Sequence, residues 1–125
     1  LGPKPIVLDI ASNDGTLLSA YPKNFFRIGI DPAKNIKPQN CDLHINTYFS
    51  AEAYQKHLGE SKADIVTSIS MFYDLENPIQ FARDVNKILK ETGLWILEHS
   101  YLPTMLERNS FDTICSEHLE YYSLQ

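Results

Sequence analysis

Short runs of β-branched and apolar residues alternate with amphipathic stretches along this chain, and the alternation sets the expected architecture. Residues 6–10 (IVLDI) form a nearly unbroken apolar run between Pro5 and a polar turn, the pattern of a strand buried on both faces of a parallel sheet. Thr16 to Ala20 opens a helix behind it, halted near Pro22. Phe25 to Ile30 (FFRIGI) reads as a second strand ending at Asp31-Pro32, and Leu43 to Ile45 as a short third. Ser50 is placed to N-cap a helix over Ala51 to Leu58, with Gly59 as its left-handed stop. Ala63 to Ile69 is a fourth strand. Asn77 and Pro78 make a cap and first-turn pair, behind which Phe81, Ala82, Val85, Ile88 and Leu89 fall at helical spacing, with Gly93 closing the element. Leu94 to Leu97 is a fifth strand, and Pro103 to Arg108 a short helix. Strands alternating with helices imply βαβ crossovers, and hence a doubly wound, mostly parallel α/β sheet.

The chain has 125 residues, enough for one ordinary domain, and with 43% apolar and 22% charged residues it can bury a core. Its formal charge of −5 and the absence of any Lys/Arg cluster argue against a nucleic-acid module. No run approaches the ~18 apolar residues of a membrane span, and no signal-peptide pattern opens the chain. Cys41 and Cys115 stand apart without metal-ligand spacing, which argues against a disulfide framework or zinc site and suits a reducing, cytoplasmic setting. A hydrophobic strand begins almost at once after Leu1, so the chain reads as a piece of a longer protein.

Ligands of open α/β sheets bind beyond the carboxyl ends of the strands, so the turn after the first strand carries the chemistry. It reads Asp9-Ile10-Ala11-Ser12-Asn13-Asp14-Gly15. Ala11, Asn13 and Gly15 are small or turn-tolerant at every second position; small side chains let the backbone approach a ligand, while Asn and Gly accept positive φ. The spacing is not the G-x-G-x-x-G of dinucleotide binding, and Asp14 would repel a pyrophosphate at the helix start. The Asp9 carboxylate with Ser12 and Asn13 better suits a ligand bearing an ammonium and no phosphate, such as S-adenosylmethionine. Asp31, sixteen residues after Gly15 and followed by Pro32, ends the second strand where an acid accepts both ribose hydroxyls. Taken singly, Asp9 and Asp31 read equally well as turn and cap residues; together with the intervening loop they read as a site. Ser70, Met71 and Phe72, at the end of the fourth strand, would lie beside the same ligand, although Met and Phe there also suit core packing.

The segments VLDIASNDGTLL (Val7 to Leu18) and FDTICSEHLEYYSL (Phe111 to Leu124) resemble the S-adenosylmethionine-dependent sugar C-methyltransferases. The resemblance implies a Rossmann-like class I methyltransferase fold and a nucleotide-linked keto-deoxysugar as small-molecule substrate. Approximate family pattern in the second segment is F-D-x-I-Y-H-E-H-x-x-Y-x-S-L. Here Ala11 replaces the first loop glycine, Cys115 stands where Tyr is frequent, and Ser116 where the first His is expected, while Glu117 and His118 are kept. Complete relatives carry a zinc-binding region and a further domain outside this segment. The resemblance therefore implies a truncated methyltransferase domain over residues 1–125, lacking the last strands. Its fifth strand would form an exposed edge, a route to self-association.

The implied reaction builds a carbon–carbon bond beside a ketone. His118 is the expected base, since histidine titrates near ~6.5. Glu117 would orient it, and Tyr121 or Tyr122 would donate to the developing oxyanion. No metal is required, because the sulfonium already activates the methyl group. His44, His57 and His99 show no ligand spacing, and Tyr48-Phe49 after the third strand suit core packing better than a border for adenine. Other readings keep the cofactor and change the acceptor (an O- or N-methyltransferase), or keep binding without turnover, as Ser116 suggests. A nicotinamide-dependent oxidoreductase is the weakest, for want of the glycine fingerprint.

Overall fold

The computed structural model describes residues 3–124. Its strands are β1 (Ile6–Ile10), β2 (Phe26–Ile30), β3 (Leu43–Ile45), β4 (Ala63–Ile69) and β5 (Leu89–Glu98), and its helices α1 (Thr16–Ser19), α2 (Ala51–Leu58), α3 (Pro78–Ile88) and α4 (Leu102–Glu107). Five strands form one sheet in the order β3-β2-β1-β4-β5, and every pairing is parallel. The chain runs outward from β1 to β3, then crosses to β4 on the other side of β1. That reversal opens a crevice above β1 and β4, the place where such sheets bind ligands.

The central strands β1, β2 and β4 carry runs of buried residues and are apolar in succession. On one face Leu8, Ile10, Ile28, Ile30 and Ile45 pack against Tyr54 of α2 and Phe81, Val85 and Ile88 of α3. On the other, fully buried Leu18 of α1 approaches Gly29. Local signals account for the helix ends. The Ser50 hydroxyl accepts the Ala53 amide at 3.0 Å, the Asn77 side chain accepts the Gln80 amide at 3.0 Å with Pro78 beginning the helix, and Gly59 leaves α2 at φ 57°.

One boundary differs from expectation. Gly93 does not close α3; the helix ends at Ile88, and Leu89 already pairs with Ala63 in β5. The register then jumps from Ala63↔Leu89 to Ile65↔Leu94, so residues 90–93 bulge out of the ladder. A Cβ at Gly93 would stand 2.8 Å from Leu89 Cδ1, so the glycine lets the bulge fold over that side chain. Lys90 anchors the bulge with an ion pair to Asp64 at 2.6 Å. β5 is the sheet edge, and its Leu94 and Ile96 are 62% and 45% exposed. No helix among the described residues is long and apolar enough to cross a membrane.

Candidate functional site

The β1–α1 turn is built on alternating left-handed residues. Ala11, Asn13 and Gly15 have φ of 59°, 51° and 83°; Asn and Gly tolerate this conformation, whereas Ala11 adopts it under strain. A Cβ at Gly15 would run into the Gln39 carbonyl oxygen, so the close approach of the following loop requires glycine there. The Ala11 and Ser12 amides both donate to the Ile30 carbonyl, at 2.9 and 3.3 Å, tying the turn to the end of β2. Gly29 in β2 makes room for it, since a Cβ there would stand 2.6 Å from Ser12 Oγ.

Asp31 is the hub between the two strand ends. One carboxylate oxygen accepts the Asn13 amide at 3.0 Å and the other the Ala33 amide at 2.8 Å. Asn46 Nδ2 donates to the carbonyls of Asp31 and Ala33, which joins the end of β3 to the same hub. The Asp14 carboxylate accepts both the amide and hydroxyl of Thr16; those bonds, the hydroxyl's first, hold its pKa below the ordinary carboxylate value. This carboxylate occupies the α1 entrance, where a phosphate would otherwise sit.

Asp9 lies beneath the turn and is 4% exposed. Burial pushes its carboxyl up to about 6, opposed by a 2.5 Å hydrogen bond from the Thr67 hydroxyl and reinforced by the negative charge of Asp31. The buried Ser12 hydroxyl has no protein partner.

Two adjoining cavities open over the ends of β1, β2 and β4. The larger, about 700 Å³, is walled by Asp9, Ala11, Ser12, Asn13, Asp14, Ser70, Met71 and Glu98, among others. The smaller, about 400 Å³, is mainly apolar: Ile10, Ala11, Ile30, Pro32, Tyr48, Phe49, Met71 and Phe81 line it, with Asp74, Asn77, Gln80 and Asp84 at its polar side. Ala11 and Met71 stand in both walls, so the cavities meet at the turn. Among the described residues neither wall contains a Lys or Arg. Of the expected binding residues, Asp9, Ala11, Ser12, Asn13, Pro32, Ser70 and Met71 line this space, while Gly15 and Asp31 shape the turn behind it. Tyr48 departs from the core-packing expectation: it is 79% exposed on the cavity wall, whereas Phe49 packs edge-on against Phe81 at 5.2 Å.

The C-terminal segment docks elsewhere, on the 3-10 turn Phe72–Asp74 that follows β4. The Tyr73 carbonyl accepts the amides of Leu119 and Glu120. The His118 ring lies against the Tyr73 ring at 4.1 Å between centroids, and Tyr122 lies against Phe72 at 5.3 Å. Tyr121 accepts the Cys115 amide through its hydroxyl. Glu117 is exposed and accepts the Ser116 hydroxyl; its own backbone amide, then the Cys115 and Ser116 side chains, hold its carboxyl below the ordinary value. Neither His118, Glu117 nor Tyr121 stands in the wall of either cavity.

Comparison with known proteins places this architecture. The methyltransferase-domain family model matches residues 1–125, the whole chain. The chain belongs to that family. C-methyltransferase NovU of Streptomyces niveus is 30% identical over 124 residues, covering 95% of this chain and 30% of NovU, so the chain spans under a third of that relative. The solved plantazolicin methyltransferase BamL, in complex with a triazolic desmethylPZN analog and SAH, has the same fold with a TM-score of 0.64 at 18% identity. The match covers 91% of this chain and 44% of BamL.

Within this family's fold, four residues of the site escaped the reading of the sequence. Thr67 binds Asp9, Gly29 admits the turn, Glu98 walls the crevice and Tyr73 carries the C-terminal segment. Only Gly29 had a local signal, a glycine inside a strand. The other three matter through strand pairing and long-range docking.

Proposed function

We propose that this chain is the S-adenosylmethionine-binding part of a methyltransferase that methylates carbon on a nucleotide-linked keto-deoxysugar. One observation carries the cofactor assignment: an acid-walled crevice free of Lys and Arg joins an apolar pocket at Ala11 and Met71. A sulfonium and an ammonium are both attracted to Asp9, Asp14 and Glu98, and a diphosphate is repelled by them. The apolar pocket suits a flat base between Pro32, Tyr48 and Met71. Asp31, fixed by two backbone amides, keeps carboxylate lone pairs for ribose hydroxyls. The unpartnered Ser12 hydroxyl and the Asn13 side chain supply further polar contacts in the crevice.

When bound, the cofactor supplies an electrophilic methyl group. The chain's own part is to prepare the acceptor. His118 takes the proton from the carbon beside the ketone, the nearby Glu117 carboxylate favours the imidazolium that results, and Tyr121 donates to the enolate oxygen. Support for carbon as the methylated atom comes from the Glu117-His118 motif and from the name of the NovU relative.

A keto-deoxysugar deuterated beside its carbonyl tests the reaction class. Carbon methylation by the full chain replaces one deuterium with the methyl group. A methylated product that keeps every deuterium, beyond solvent exchange measured without enzyme, assigns the chain to O- or N-methylation instead. Binding without turnover is favoured by the loss of the first motif histidine to Ser116, and would show as cofactor affinity with no product.

A further inference from the structure

We infer that Tyr73 positions His118 for proton abstraction, an inference that rests on His118 being the base. A histidine base is usually oriented through a hydrogen bond to its second ring nitrogen. His118 lacks that bond: its Nδ1 is buried without a protein partner. What contacts the ring is Tyr73, at 4.1 Å between centroids and tilted by 45°. The same residue fixes the backbone on which His118 sits, because its carbonyl accepts the Leu119 amide at 2.8 Å and the Glu120 amide at 3.2 Å. One position earlier, Phe72 holds Tyr122 in the same manner. Two consecutive side chains of one short turn thus clasp two residues of the C-terminal segment.

That turn also touches the cofactor pocket. Met71, immediately before it, stands in both cavity walls, and Asp74 and Leu75 stand in the smaller one. Tyr73 thus shares one short turn with residues of the cofactor's walls and holds the base against that turn, which couples the position of one to the other. Its ring has a second effect. An aromatic face attracts a cation within about 6 Å, so the contact strengthens as His118 accepts the proton. The other groups around His118 are the Glu117 carboxylate, which interacts with it electrostatically, and the Tyr121 ring at 6.3 Å.

The test reads proton abstraction separately from methyl transfer. The full chain, saturated with S-adenosylhomocysteine, is incubated with a nucleotide-linked keto-deoxysugar in deuterated water, and deuterium uptake beside the ketone is followed by mass spectrometry. Tyr73→Leu should slow uptake at least ~10-fold by misplacing the base, with S-adenosylhomocysteine affinity within about twofold of the parent. Tyr73→Phe, which keeps the ring and the carbonyl anchor, should restore uptake to within about threefold. Parent-like uptake by Tyr73→Leu overturns the inference, as does equal loss in both variants or a matching loss of S-adenosylhomocysteine binding. If uptake survives His118→Ala, or the parent shows none, the assignment of the base itself fails. If His118→Ala abolishes uptake and Tyr73→Leu does not, the positioning inference alone fails.

Discussion

The two halves of the candidate site are built by different means. The cofactor half rests on the ends of β1, β2 and β4, the most buried strands of the sheet, and its turn is held by backbone bonds to Ile30 and Asp31. The proposed acceptor half rests on a C-terminal segment with exposed Phe111, Ile114 and Leu119, docked through two amides and two ring contacts on one 3-10 turn. It is also held through Tyr122, whose carbonyl accepts the Leu102 amide and whose ring meets His99 at 5.4 Å. The first half is set by the fold; the second is attached to it. A site on strand ends is preorganised as soon as the sheet forms, whereas one on a docked segment depends on contacts weaker than the core.

That contrast can be broken most forcefully at His118. Replacing it with Ala should lower carbon methylation by ~10²–10⁴-fold, the range for loss of a general base, while cofactor affinity stays within about twofold. A parallel loss of affinity would merge the halves.

The next effect concerns the buried acid. Asp9 binds its proton more tightly in the fold than in the unfolded chain, since burial raises its carboxyl from 3.8 to about 6. Its stabilising contribution is therefore complete below the ordinary value and is lost as pH rises through about 6. At neutral pH the fold carries the unfavourable buried charge, roughly 3 kcal/mol at ~1.4 kcal/mol per pH unit. Asp9→Asn should raise stability toward urea at pH 7, lose that advantage near pH 4, and weaken cofactor binding. Equal effects at both pH values would remove Asp9's titration from the account.

A smaller change is expected at Asp31. Its replacement by Ala should weaken S-adenosylmethionine by ~1–3 kcal/mol, measurable by calorimetry, through loss of ribose bonds to the carboxylate together with loosening of the turn that its two amide bonds hold. Smallest of all, Ala11→Gly removes a Cβ from a φ of 59° and should change stability by under ~1 kcal/mol, because relief of strain is offset by unfolded-chain entropy. A larger loss would mean that the methyl group itself packs at the junction of the cavities.

The same contrast governs what the sequence could reveal. In the cofactor half the signals are local: Asn13 and Gly15 predicted left-handed positions in the turn, though not the one at Ala11, Ser50 and Asn77-Pro78 predicted their caps, and the five strands lay near their expected places. The start of β5 was hidden because Lys90, Glu91 and Thr92 carry no apolar alternation. Pairing with Ala63 makes the strand there, and Gly93 serves a bulge rather than a helix end. Asp9 was legible as an acid at a strand end, but its pKa is raised by burial in the folded sheet and by the charge of Asp31, twenty-two positions away, against a hydrogen bond from Thr67, fifty-eight positions away. The docking of His118 on Tyr73 was not legible at all, since a backbone carbonyl accepting two distant amides leaves no trace in residue types.

The central claim is that the crevice is electrostatically fitted to a phosphate-free cationic nucleoside. Calorimetric titration of the full chain at neutral pH with S-adenosylmethionine and, in parallel, with NAD tests it directly. The account predicts a dissociation constant of ~1–100 µM for the first and binding at least ~100-fold weaker for the second, a gap of about 2.7 kcal/mol. Tighter binding of NAD, or no heat with S-adenosylmethionine, would contradict it.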